Sequence, residues 1–232
     1  MVTLLFMGRR STPWWIVGSL LVVSCASQPP ADTAVAPRGA DSPRAAVEGL
    51  KEALATSDFD ATSQWVDEVQ IVLLASIEGI STPETATMLA EGLTPDVRSN
   101  FWEGFVEGFP VFAHEAVSQL LIGDEVLFEL EGSSFAAVQI TLRQNPGIGS
   151  LIVRREGGRW LVDLLATVGP SLASPLREWL ESVPDDEQGR LIRAEVAAQQ
   201  PSFESALAQQ PLGAVSDGAR FEIQLLIVEA NS

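Results

Sequence analysis

The sequence predicts an α+β domain over residues 42–232: N-terminal helices on a curved antiparallel sheet, then further C-terminal helices and a final strand. Apolar residues recur at helical spacing from residue 42 to about 109, and they alternate at strand spacing between 125 and 165. After Pro170 the helical spacing returns. With 46% hydrophobic and 19% charged residues, a chain of 232 residues can bury a core of its own.

Four predicted helices precede the sheet. Ser42-Pro43 offers an N-cap followed by proline at the first helical position. A break at residues 58–60 separates this helix from a second one, and residues 81–84 match the S-x-x-E capping box of a short third helix ending near Ala90. Thr94-Pro95 begins the fourth.

An antiparallel meander follows, because apolar side chains alternate in short runs that are separated by turn residues. The predicted strands are 125–130, 135–143, 150–155 and 159–165. Beyond Pro170, two helices are predicted around residues 176–180 and 191–196, and the apolar run 219–230 is predicted as a closing strand.

The first 24 residues have the layout of a signal peptide. Arg9 and Arg10 precede an apolar run from Trp14 to Val23, and small residues end it. The run of about ten residues is shorter than the ~20 that cross a bilayer as a helix. Met7 could also begin a signal peptide of normal layout, so Met1 and Met7 remain alternative starts.

Residues Val22-Val23-Ser24-Cys25 resemble the lipobox of bacterial lipoproteins. The resemblance implies cleavage before Cys25 and acylation of its thiol, with palmitate among the acyl chains, so that the first expected partner is a membrane. A lone cysteine can also be a small buried hydrophobe, but its place after the apolar run favours lipidation. Ala26 then implies the outer membrane, if the organism has two membranes. We expect residues 25–41, rich in alanine and proline, to be the lipidated cysteine and a flexible tether.

The chain is strongly acidic, with 31 acidic residues against 14 Lys plus Arg and a formal net charge of −17. Loss of residues 1–24 would remove two arginines and no acid, taking the charge to −19. Between residues 48 and 131, seventeen acids stand against Lys51 and Arg98. We interpret them mainly as solvated helix faces, with a cation site or a basic partner as the alternative. Such a surface repels phosphate, so nucleic-acid binding is disfavoured.

Helices followed by a meander that ends in Gly-Gly-Arg-Trp-Leu-Val-Asp resemble the nuclear transport factor 2-like superfamily. The matching pieces are residues 47–65 and 135–165. The resemblance implies a cone-shaped sheet wrapped on helices, with a ligand pocket or a homodimer face on the open sheet surface. It also implies an acid/base pair within the cone in those members that are enzymes.

The candidate catalytic residues are Asp163 and His114, the latter followed by Glu115. If the face of the last strand that carries Asp163 is buried, its pKa would be raised and it could act as a general base. The alternative is a structural carboxylate bound to Arg154 or to backbone donors. A single histidine and no nucleophile motif predict no metal site and no cofactor.

The candidate ligand-binding residues are Trp102 and Phe105, within an aromatic run that core packing also explains. Because no catalytic set is complete, we expect a non-enzymatic binding or scaffolding module of the cell envelope. It would bind a protein or an apolar small ligand through its sheet. The competing hypothesis is an enzyme resembling ketosteroid isomerases or polyketide cyclases.

Overall fold

A computed structural model describes residues 38–142, 149–209 and 217–231, and the domain is α+β. The α-helices are α1 Pro43–Ala55, α2 Glu68–Ile77, α3 Thr82–Glu91, α4 Pro95–Ala113, α5 Leu164–Ser182, α6 Glu187–Ala198, α7 Gln200–Gln209 and α8 Asp217–Ala230. Short 3-10 turns span Ala61–Gln64 and Val117–Gln119. No helix within the described residues is long and apolar enough to cross a membrane.

The strands are β1 Leu121–Leu130, β2 Ser133–Thr141, β3 Gly149–Glu156 and β4 Arg159–Val162. They form one antiparallel sheet in the order β1-β2-β3-β4, which confirms the predicted meander. The register places Val126 opposite Ala137 and Val153 opposite Val162, and β1 is irregular between Ile122 and Glu125.

Both faces of the sheet are covered by helices. Ala136 and Val138 belong to the main core, to which α1 contributes Val47 and Leu50, and α1 contacts all four strands. On the opposite face, a smaller cluster joins Phe135 and its neighbours to Ala166 of α5, while α7 contacts β1 and β2. The two faces alternate along β2 because successive strand residues point to opposite sides.

The starts of α1, α3 and α4 agree with the predicted ones, whereas α2 begins at Glu68 with Asp67 as its N-cap, after a 3-10 turn, and not at the predicted break at residues 58–60. The Ser42 hydroxyl accepts a hydrogen bond from the Ala45 N–H at 3.2 Å, so Ser42 is the N-cap of α1. Helix α3 begins after Ser81 as predicted, but the Ser81 side chain makes no capping hydrogen bond. A proline in its first turn favours the helix start, and α3 packs on α2 and α6.

The prediction of a closing strand at residues 219–230 is wrong, because this segment lies in α8. Its buried residues Ile223, Leu226 and Ala230 follow helical spacing and pack against α5 and α6. The strand predicted for residues 159–165 is also too long. It ends at Val162, and Asp163 is already the N-cap of α5.

The end of the predicted tether is part of the fold. Ala40 is 5% exposed and exchanges two backbone hydrogen bonds with Trp160 on the outer edge of β4, and the Arg38 guanidinium donates to the Val66 carbonyl. Residues 38–41 therefore belong to the domain. The predicted signal peptide, Cys25 and the tether up to residue 37 lie outside the described residues.

Candidate functional site

Asp163 lies between β4 and α5 and is 2% exposed. Its Oδ1 accepts hydrogen bonds from the Ala166 N–H at 2.9 Å and from Gln70 Nε2 at 3.0 Å. Its Oδ2 accepts one from the Ser202 hydroxyl at 2.7 Å, with Arg154 Nε 3.9 Å away. Both carboxyl oxygens are therefore engaged in holding three helices and a strand together.

Gln70 of α2 is the second centre of this buried network. Its Oε1 accepts the Leu164 N–H at 2.7 Å, and its Nε2 donates both to Asp163 and to Gln199 Oε1, each at 3.0 Å. Gln70 is fully buried and Gln199 is 5% exposed. The network satisfies the free N–H groups at the start of α5, which would otherwise be buried without partners.

Gln70, Gln199 and Ser202 were not predicted from the sequence. The one available signal is that Gln70 interrupts the apolar run of α2, since a polar residue in a buried helix must find a partner. Nothing in the sequence indicates that this partner lies near residue 163.

Burial raises the pKa of Asp163 above its ordinary value of 3.8, because the carboxylate loses its hydration. The charge of Arg154 opposes this rise, as do the hydrogen bonds from Ser202, Ala166 and Gln70. Arg154 is shared with Asp67 at 3.3 Å and Glu156 at 3.5 Å, which weakens its effect on any one carboxylate.

The raised pKa predicts how Asp163 affects stability as pH changes. A carboxyl whose folded-state pKa exceeds its unfolded value stabilises the fold fully below the unfolded pKa and loses that contribution as pH rises through the folded pKa. The variant Asp163→Asn keeps the N-cap but does not titrate. Its free energy of unfolding, relative to the wild type, should therefore increase as pH rises from about 3.8 towards neutrality. Urea unfolding at a series of pH values tests this, and a difference that falls with pH would show that the donors hold the carboxylate charged.

His114 is the C-cap of α4, exposed and in the left-handed region with φ +62°. Among the described residues, the groups bonded to Asp163 come from α2, β3, α5 and α7, and His114 is not one of them. Glu115 is 9% exposed. The geometry therefore does not join His114 and Asp163 into an acid/base pair.

Trp102 is the buried member of the aromatic run at 1% exposure, whereas Phe105 is 37% exposed. The Trp102 ring meets Phe101 and Phe105 edge-on, with ring centroids 5.0 and 5.7 Å apart. Its indole N–H has no hydrogen-bond partner among the described residues. Phe101 and Phe109 also pack against the main core, whereas Phe105 is exposed. Trp102 is a core residue.

A cleft of about 200 Å³ opens to solvent at the turn end of the sheet. It is lined by side chains from all four strands: Leu127, Phe128, Glu129, Ser134, Phe135, Arg155 and Trp160. Arg155 lies over the Trp160 ring, 5.9 Å from its centroid. Asp163, His114, Trp102 and Phe105 do not line this cleft.

The described residues contain no group of three or more His, Cys, Asp or Glu side chains that could hold a metal ion. No protein-family model, curated protein or solved structure matches the chain.

Proposed function

We propose that this chain is a membrane-anchored extracytoplasmic lipoprotein whose domain is a non-enzymatic binding module of the cell envelope. The non-enzymatic part of this proposal rests on the burial and the hydrogen bonding of Asp163. The carboxyl is buried and both of its oxygens have structural partners, so a substrate could reach it only if the Asp163–Gln70–Ser202 network opened.

The rival enzyme has one observation in its favour, which is the raised pKa of Asp163. A general base must also lie within hydrogen-bond reach of the proton that it removes. The Asp163 side chain is 1% exposed and does not line the cleft at the turn end of the sheet. The geometry therefore supports a binding module over an isomerase or cyclase.

Helices α1–α4 before the meander support a nuclear transport factor 2-like arrangement, whereas α5–α8 follow the sheet and fall outside that order. In that arrangement one sheet face would be open for a ligand or a second subunit. Here α1 lies on one face, and α5 and α7 lie on the other. Binding is therefore better supported at the sheet's edge or at the cleft than on a sheet face.

Lipid anchoring predicts that Cys25→Ser abolishes membrane association. The variant lacks the thiol that would receive the lipid, and several acyl chains contribute ~0.8 kcal/mol per buried methylene. Expressed in a bacterial host, it should move from the membrane to the soluble fraction and fail to incorporate labelled palmitate. Ser27→Ala, two residues beyond the cysteine, is the matched control and should remain anchored. Unchanged size and fractionation of Cys25→Ser would contradict the proposal.

The binding function is tested by recovering the anchored protein from detergent-solubilised envelopes and identifying bound proteins and small molecules by native mass spectrometry. We expect a partner or a ligand that remains bound to Asp163→Asn. The enzyme would be favoured if neither a partner nor a ligand were recovered and if the protein converted a small apolar substrate in a reaction that Asp163→Asn abolished.

A further inference from the structure

The two edges of the sheet differ in whether other segments of the chain pair with them. The edge of β4 is covered: Ala40 pairs with Trp160, and Val66 pairs with Val162. The outer edge of β1 pairs with no other strand among the described residues. Near its start Arg44 contacts the strand, where its guanidinium donates to the Gly123 carbonyl and its backbone N–H donates to the Glu125 carboxylate.

Strand β1 carries exposed apolar side chains along this uncovered edge. Val126 is 60% exposed and Leu127 is 64% exposed, and they point to opposite sides of the sheet. Next to them Phe128 stacks on Phe135, with ring centroids 5.5 Å apart. Edge strands of soluble proteins are usually short or protected by charged side chains, proline or a bulge. β1 has ten residues, and its irregularity between Ile122 and Glu125 and its acidic side chains flank Val126 and Leu127 but leave both exposed.

The charges on β1 and its turn are all negative. Asp124, Glu125, Glu129 and Glu131 are exposed, and residues 121–131 contain no lysine or arginine. Two arginines of other elements lie near the strand. The Arg44 backbone N–H donates to Glu125 while its guanidinium is paired with Glu48, and Arg155 lines the cleft together with Glu129. A strand added to this edge would therefore meet carboxylates on both sides of three apolar residues.

A second copy of the chain fits this edge poorly. Two β1 strands paired antiparallel would bring eight carboxylates into one seam. In the register that sets Leu127 against its copy, Glu125 lies opposite Glu129 twice, and like charges directly opposite each other destabilise a strand pair.

We propose that β1 is a strand-addition site for an extended, basic segment of another envelope protein, which rests on the binding function proposed above. Read along Asp124-Glu125-Val126-Leu127-Phe128-Glu129, the complementary segment has three consecutive apolar residues flanked by lysine or arginine. Main-chain hydrogen bonds to the free edge supply binding, and the flanking cations select the partner. The cleft begins beside Leu127 and Phe128, and because Arg155 also lines it, an apolar side chain of the added strand would suit it better than a basic one.

The probe is a capped peptide, Thr-Lys-Lys-Val-Val-Val-Lys-Thr, titrated into the purified protein in low salt and followed by calorimetry. Two matched peptides serve as controls, one with Glu in place of each Lys and one with alternate backbone amides N-methylated. We expect both to bind at least about tenfold more weakly, because the first reverses the charges and the second removes the main-chain donors.

Two pairs of protein variants locate the site. Val126→Lys should weaken binding by about tenfold, whereas Val111→Lys, an exposed valine of α4 given the same charge, should not. Asp124→Asn combined with Glu131→Gln should weaken binding roughly threefold and reduce its salt dependence. The matched pair Glu103→Gln and Glu107→Gln, on exposed positions of α4, should have no effect.

The proposal would be overturned if the N-methylated peptide bound as tightly as the parent peptide, or if the α4 variants weakened binding as much as the β1 variants. Either result would show a general attraction between opposite charges. Absence of peptide binding would overturn the proposal too. If sedimentation showed that the protein self-associates and Val126→Lys abolished this, the partner of the β1 edge would be a second copy of the chain and the proposal would be wrong. Because these measurements use the isolated peptide, they can fail while Cys25-dependent anchoring and recovery of a ligand succeed, so the two proposals are separable.

Discussion

Asp163→Ala should lower the free energy of unfolding by about 3–5 kcal/mol, because it leaves buried donors without an acceptor. The Ala166 N–H, the Gln70 amide and the Ser202 hydroxyl would each lose a hydrogen bond, and Arg154 would lose a nearby charge. The loss would be a large fraction of the ~5–15 kcal/mol that stabilises an ordinary domain. Urea unfolding followed by tryptophan fluorescence measures it.

Asp186→Ala is the matched control for this experiment. Asp186 is also an N-cap aspartate, and its Oδ1 accepts the Gly189 N–H at 2.9 Å, but it is exposed and its position can be hydrated. Its loss should cost about 1 kcal/mol, as is usual for an N-cap. If the costs of the two alanine variants agreed within about 1 kcal/mol, the buried network would contribute nothing beyond ordinary capping.

Gly189→Ala should destabilise the domain by about 3 kcal/mol, at the upper end of what overpacking costs. Gly189 lies in the first turn of α6, where a Cβ would stand 1.8 Å from the Pro184 carbonyl oxygen and 3.0 Å from its carbon. Those are backbone atoms, so the Val183–Pro184 segment or the helix itself must move. The same shift would disturb Arg193, which donates to the Val183 and Pro184 carbonyls.

The sign of this result is informative, because alanine is otherwise the better helix former by up to about 1 kcal/mol. A stabilised Gly189→Ala variant would show that the Pro184 carbonyl does not approach α6 so closely. The neighbouring exposed residue provides the control: Gln188→Ala changes a side chain in the same turn and should alter the unfolding free energy by no more than about 0.5 kcal/mol.

Capping residues, prolines and the spacing of apolar residues predicted the elements whose limits depend on neighbouring residues in the chain. The Ser42-Pro43 pair predicts the start of α1 because an N-cap hydroxyl and a proline at the first position act within one turn. The alternation of Ala136, Val138, Ile140 and Leu142 predicts β2 because strand side chains point to opposite faces. The residues before Cys25 predict lipidation because the lipobox is a local motif that does not depend on the fold. Lipidation stays a prediction, since Cys25 lies outside the described residues.

Tertiary structure alone decided three features: the helical conformation of α8, the structural role of Asp163 and the exposed edge of β1. The apolar run in residues 219–230 suits a strand or a helix, and the packing of Ile223 and Leu226 on α5 and α6 selects the helix. The role of Asp163 depends on Gln70 and Ser202, which are 93 and 39 residues away in the chain. The exposed edge of β1 depends on which strand pairs where, and hydrophobic spacing within one segment carries no information about pairing between segments.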